Sequence, residues 1–170
     1  MVGLMSALTV AAICIFRLPV SGGSVYFHLG ETVMLTSAVL LGRKGGAFVG
    51  GLSSALADLL LGSAIWAPFS FVIHGVECYI TGWISERSGG KHDVVGMMIG
   101  AAVMAISYTV VVGWLYDPSL MKIEIVGDSL QGGIGVLTAF PLSRVLISRF
   151  PALRFSRPAR EDREKAGGDE

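Results

Sequence analysis

The chain has 170 residues, of which 52% are apolar and only 15% charged, with a formal net charge of zero. Soluble domains carry about 25% charged residues, and the mean hydropathy of +0.66 points to lipid rather than water as the solvent. A neutral, apolar chain lacks the basic patch that phosphate backbones require, which excludes a nucleic-acid binder.

Six apolar segments follow in order, at about 4–18, 31–41, 45–61, 65–84, 94–115 and 129–147. A membrane-crossing helix needs about 20 residues, or fewer when its flanks contribute. The expectation is therefore an all-α integral membrane protein with six transmembrane helices. The first segment has no Lys or Arg before Arg17 and no clear cleavage site, so it reads as a retained span rather than a signal peptide. The second is short, and the turn after it is Gly42-Arg43-Lys44-Gly45. A re-entrant hairpin would leave two cations at bilayer depth, at about 2.5–3.5 kcal/mol each; two separate crossings put both in water.

Charge asymmetry sets the orientation. Arg43, Lys44, Arg87, Lys91, Arg149, Arg154, Arg157 and Arg160 fall on one side, with Arg144 able to snorkel there, against Lys122 and Arg17 on the other. Excess Lys and Arg mark the cytoplasmic side, which places both termini in the cytoplasm. The outer loops are then 19–30, a short connection at Gly62-Ser63-Ala64, and 116–128, which opens on the turn pair Asp117-Pro118. Residues 1–150 form the transmembrane domain. The polar stretch 151–170 forms a cytoplasmic tail that mixes charges without an apolar face from Arg154 onward and is expected to be disordered.

Polar residues within apolar segments carry the information, because burial in lipid makes them costly. His74 and Glu77 are three apart and share a helical face, with Phe71 three residues before His74. Counted from Pro68, Glu77 lies about 13 Å along the helix, where an ionised carboxylate facing lipid is untenable. It either lines a pocket, pairs with His74, or is protonated. Asp58, one turn after Ser54, fits a pocket wall or a solvated helix end equally well. Arg17 can snorkel, pair with Glu31 or meet a ligand anion. Asp128 reads as the N-cap of a helix starting at Ser129, and with Gln131 it can face a cavity. Tyr26, Phe27, Trp66, Phe69, Tyr108, Trp114 and Tyr116 gather toward the outer side, as an interfacial belt or as walls for a planar ring. Trp66, in the same segment as His74 and Glu77, is the foremost candidate. Gly46-x-x-x-Gly50, Ala47-x-x-x-Gly51, Gly51-x-x-x-Ala55 and Gly96-x-x-x-Gly100 predict close helix packing. Cys14 and Cys78 read as small buried apolar side chains.

No G-x-x-x-x-G-K-[ST] is present, so the chain has no nucleotide-phosphate loop. Neither G-x-S-x-G nor H-E-x-x-H appears, and no catalytic residue, cofactor or metal is expected.

The run Tyr26-Phe27-His28-Leu29-Gly30-Glu31-Thr32, the turn Leu40-Leu41-Gly42-Arg43-Lys44-Gly45-Gly46-Ala47, and the stretches Gly51–Leu60, Ala67–Glu77 and 127–132 resemble the substrate-binding S components of energy-coupling-factor (ECF) vitamin transporters. The resemblance implies six helices, cytoplasmic termini, a vitamin captured on the outer side, and docking onto a membrane scaffold (T) subunit that carries two ABC ATPases. It also implies a ligand pocket built largely by the last three helices, where Glu77, Asp128 and Gln131 fall, with His74, Trp66, Phe71, Tyr108 and His28 as the further substrate-binding candidates. The family docks through an Ala-x-x-x-Ala face on its first helix, which Ala7 and Ala11 match. Related chains often carry Lys where His74 stands and Asn where Asp128 stands. Both departures favour a neutral or cationic, donor-rich ligand: pyridoxine or hydroxymethylpyrimidine first, riboflavin next. The competing readings are a stand-alone proton-coupled carrier, in which Glu77 titrates, and a membrane enzyme using His74 and Glu77 as an acid–base pair.

Overall fold

In the computed structural model the described residues are 1–20 and 25–154, with the side chains of 17–27 outside that description. The readings made for the side chains of Arg17, Tyr26 and Phe27, and for the tail beyond Arg154, lie outside the described residues. Apart from one short hairpin, the elements formed by the described residues are helical. In chain order they are α1 (Val2–Ile15), β1 (Arg17–Val20), β2 (Val25–His28), α2 (Gly30–Leu60), α3 (Ala67–Ser88), α4 (Asp93–Leu115) and α5 (Met121–Arg149). The strands pair antiparallel, Arg17 opposite His28 and Val20 opposite Val25. The outer loop expected at 19–30 thus contains a pair of strands, which the β-branched and aromatic residues in them favour.

Five helices are present, and the second doubles back on itself. Gly42 takes φ 72° and ψ −174°, a left-handed conformation that glycine adopts without steric cost. A Cβ placed on Gly46 would stand 2.6 Å from the Cα of Ala38. Eight residues along an unbroken helix span about 12 Å, so the arms 30–41 and 43–60 fold against each other. The break frees the amide of Arg43, which donates to Glu86 Oε1 on α3 at 2.9 Å, while the Arg43 guanidinium lies 3.4 Å from Glu86 Oε2.

Two expectations are corrected. The last helix starts at Met121, not Ser129, so Asp128 sits inside α5 and caps nothing. The apolar residues Met121, Ile123, Ile125 and Val126 carry the helix N-terminal to Gly127, and the loop shrinks to Tyr116–Leu120. There Asp117 Oδ1 accepts the Ser119 amide at 2.7 Å, and hydrogen bonds from Ser119 hold the Asp117 carboxyl below the usual aspartate value. Arg154, placed in the disordered tail, is instead docked on the α3–α4 end of the bundle.

Side chains are distributed as lipid demands. Every helix exposes large apolar residues: Leu4 and Leu8 on α1, Phe48 and Leu59 on α2, Val72 and Val76 on α3, Ile106 and Val110 on α4, Leu130 and Leu137 on α5. Buried positions hold Glu31, His74, Glu77, Asp93, Glu124, Asp128 and Gln131. A soluble protein reverses this pattern. α4 and the continuous stretch Pro118–Arg149 are each long and apolar enough to span a bilayer, with mean hydropathies of 2.1 and 1.4.

With little hydrophobic drive between helices in lipid, backbone approach holds the bundle. A Cβ on Gly50 would stand 2.6 Å from the carbonyl oxygen of His74, one on Gly51 2.6 Å from that of Phe71, and one on Gly96 3.0 Å from that of Thr81. The glycine spacings on α2 and α4 therefore seat both helices on α3. Leu35, Val39, Met97 and Ala139 form the apolar core beneath the site.

Candidate functional site

Every helix contributes to one open cavity. Helical spacing sets its walls. Ser54 and Asp58 on α2 are one turn apart. Trp66 just before α3, then Ser70 and His74 within it, follow at two steps of four. Glu124, Asp128 and Gln131 on α5 lie at i, i+4 and i+7. Ile13, His28, Leu61, Ser63 and Tyr108 complete the lining.

The walls are cross-linked. Tyr108 Oη donates to Ser70 Oγ at 2.7 Å, and Ser54 Oγ to the Ser70 carbonyl at 3.0 Å. The backbone amide of His28 donates to Gln131 Oε1 at 3.0 Å, which ties the hairpin to α5. Gln131 Nε2 lies 3.4 Å from Glu31 Oε2. The His74 and Tyr108 rings are 5.4 Å apart, Trp66 lies 5.8 Å from Tyr108, and Trp66 stacks on Tyr116 at 5.9 Å and 22°.

One step behind the wall lies a buried polar triad. His74 Nδ1 is 2.8 Å from Glu77 Oε2, and Glu31 faces the pair from α2. One donor atom from each of the three lies within 4.8 Å of the others. All three side chains are 2% exposed or less. Most buried polar atoms in proteins find a partner. Here Glu31 Oε1, Glu77 Oε1, Glu124 Oε2 and Asp128 Oδ2 accept no hydrogen bond. The site thus presents unmet acceptors, and no Lys or Arg lines it among the described residues.

Of the sequence candidates, His74, Trp66, Asp128, Gln131, Tyr108 and His28 line the cavity. Glu77 is buried behind His74 and reaches the cavity only through it. Phe71 does not belong to the site. It is 49% exposed beside Gly51, because the inward face of α3 runs through Ser70, His74 and Glu77 and leaves Phe71 at its margin. Glu124 is not among the sequence candidates, because an expected helix start at Ser129 leaves it in a loop; its spacing of four before Asp128 becomes a signal once the helix begins at Met121. Glu31 enters the sequence reading only as a partner for Arg17, since nothing local tells that it meets residues 43 and 46 positions away. Ala7 and Ala11 stand exposed on α1, with Gly3 exposed one turn earlier on the same stripe.

Residues 1–148 match the family described as "ECF-type riboflavin transporter, S component". The chain is 33% identical over 144 residues to an uncharacterized protein in the gap 3'region of Pyrococcus woesei, covering 84% of this chain and 96% of that one. It is 28% identical over 101 residues to the thiamine precursor transporter HmpT of Lactococcus lactis subsp. cremoris (strain MG1363), covering 59% of this chain and 57% of that one.

Proposed function

The chain belongs to the ECF-type riboflavin transporter S-component family, and on that premise we propose that it is the substrate-capture subunit of an ECF importer for a donor-rich, neutral or cationic vitamin or vitamin precursor. It is a transporter subunit, not an enzyme. Hydroxymethylpyrimidine and pyridoxine are favoured, with riboflavin next. The observation that carries this choice is the acidity of the cavity. Asp58, Glu124 and Asp128 line it, with no Lys or Arg among the described residues, so a carboxylate ligand would find no cation to pair with in a partly desolvated space. Ring N–H, amino and hydroxymethyl donors satisfy the unmet acceptors instead. Trp66, Tyr108 and His74 offer faces for a planar heterocycle. The relative HmpT, which is named a thiamine precursor transporter, agrees in ligand type.

In this reading the two arms of α2 cross the membrane separately, which makes six spans with both termini in the cytoplasm, as the Lys and Arg bias requires. The exposed stripe Gly3, Ala7 and Ala11 meets the scaffold subunit, since small side chains permit close helix contact. That subunit and its two ATPases supply the energy.

Titration of the purified full chain, followed by tryptophan fluorescence, tests the ligand. Saturable quenching by hydroxymethylpyrimidine or pyridoxine, with none by pantothenate, is expected. Quenching by pantothenate with no response to the pyrimidine or the pyridine overturns the ligand class. Uptake in cells that lack the scaffold and ATPases is expected to vanish, and persistent uptake would establish a self-sufficient carrier.

A further inference from the structure

We propose that Glu31, His74 and Glu77 form a divalent metal site behind the cavity wall, of the class that takes Zn²⁺ or Co²⁺. Three donors from two helices converge there: one imidazole nitrogen and two carboxylates, each within 4.8 Å of the others. The His74 Nδ1 to Glu77 Oε2 distance is 2.8 Å. Two donors bound to one such ion at about 2.0–2.1 Å lie roughly 3 Å apart, so this pair already has the spacing of neighbouring ligands. The i, i+3 placement on α3 fixes it, since both side chains leave the same face. Glu31 supplies the third donor from α2.

A second observation points to an occupant. Glu31 Oε1 and Glu77 Oε1 are buried acceptors without a hydrogen-bond partner, on side chains exposed by 1% and 0%. No Lys or Arg ion pair answers either carboxylate among the described residues. Two carboxylates and one dication sum to zero with a neutral imidazole, the assembly that costs least in a low-dielectric interior. Mixed imidazole and carboxylate ligation suits Zn²⁺, Co²⁺ and their neighbours better than a purely oxygen-seeking ion.

The fold also makes room for both acids. A Cβ on Gly135 would stand 2.6 Å from Glu31 Cγ, and one on Gly100 3.3 Å from Glu77 Cγ. Helices α5 and α4 are notched where these carboxylate stems pass. The triad adjoins the cavity. His74 and Gln131 line the cavity and are bonded to Glu77 and Glu31 respectively, and Asp58, Glu124 and Asp128 add further carboxyl groups to the same cavity.

The test uses the full chain in detergent, stripped with EDTA, with no vitamin present. Titration with Co²⁺, read by visible absorption and calorimetry, is expected to give one equivalent per chain. Glu31→Gln, His74→Gln and Glu77→Gln should each weaken it at least tenfold, while Glu86→Gln should leave it unchanged. No stoichiometric binding, or full binding retained in all three variants, overturns the site. If a variant fails to fold, X-ray absorption of the Zn²⁺-loaded wild-type chain decides: oxygen and nitrogen neighbours that include one imidazole support the site, and sulfur or all-oxygen ligation overturns it. A parallel vitamin titration in EDTA keeps this inference separate from the capture function, because either can fail while the other holds.

Discussion

Two buried acidic clusters occupy different parts of the bundle, and they are built on opposite terms. At the α3–α4 turn, Asp93 opens α4, where the helix dipole favours a negative charge. Its Oδ1 accepts from Ser85 Oγ at 2.7 Å, and Arg154 Nη2 reaches both carboxylate oxygens at 3.4 Å. The missing Cβ of Gly90 gives the guanidinium its seat. Every demand there is answered from within the chain. In and behind the cavity, Glu31, Glu77, Glu124 and Asp128 each keep an oxygen without a partner. The first cluster closes a structure, while the second awaits something from outside. Burial alone therefore does not mark a binding site in this protein; unanswered burial beside a void does.

The largest expected effect lies in the closed cluster. Arg154→Ala leaves Asp93 buried without its cation, and breaking a buried pair from one side costs about 3 kcal/mol. The midpoint of thermal unfolding in detergent should fall clearly, while ligand affinity stays within twofold. A large affinity loss with unchanged stability would erase the distinction between the clusters. Glu77→Gln should behave in the opposite way, weakening ligand binding at least tenfold, about 1.4 kcal/mol, with little change in unfolding. Its carboxylate holds His74 in orientation at the cavity wall, and the amide keeps the shape without the charge. Unchanged affinity by tryptophan fluorescence would move Glu77 from the site into the scaffold. The docking stripe sits apart from both clusters. Ala7→Leu with Ala11→Leu should spare ligand binding and abolish co-purification with the scaffold subunit, and retained co-purification would remove that surface from the proposal.

How much of this the sequence disclosed follows from the range of each signal. The break at Gly42 was legible because Arg43 and Lys44 cannot lie in lipid and glycine can reverse a helix. His74 and Glu77 were legible as a pair because three residues of helix join them. The N-cap reading of Asp128 failed for a local reason. A Gly-Asp-Ser run imitates a helix start, yet the apolar residues from Met121 onward keep the helix going through it. Glu31 was not legible at all as a member of the triad, since its position depends on how α2 packs on α3 and α5. Arg154 escaped for the same reason: its partners lie 61 and 69 residues away, and a polar tail gives no local hint of docking.

The smallest expected effect is the one that isolates geometry from composition. Phe71 lies on the same helix as His74, three residues away, and is an aromatic that can flank a planar ring. By sequence it is a substrate-binding candidate beside Trp66, which ranks first. The structure separates them. Trp66 shares the face of Ser70 and His74 and stacks on Tyr116, whereas Phe71 turns to the outer surface. Phe71→Ala should then change ligand affinity less than twofold, while Trp66→Ala should weaken it several-fold. Isothermal titration suits both variants, because a tryptophan is lost in the second. Equal losses would mean that the inward face of α3 is rotated from the one described, which would also carry Glu77 away from Glu31 and dissolve the contrast between an answered and an unanswered cluster.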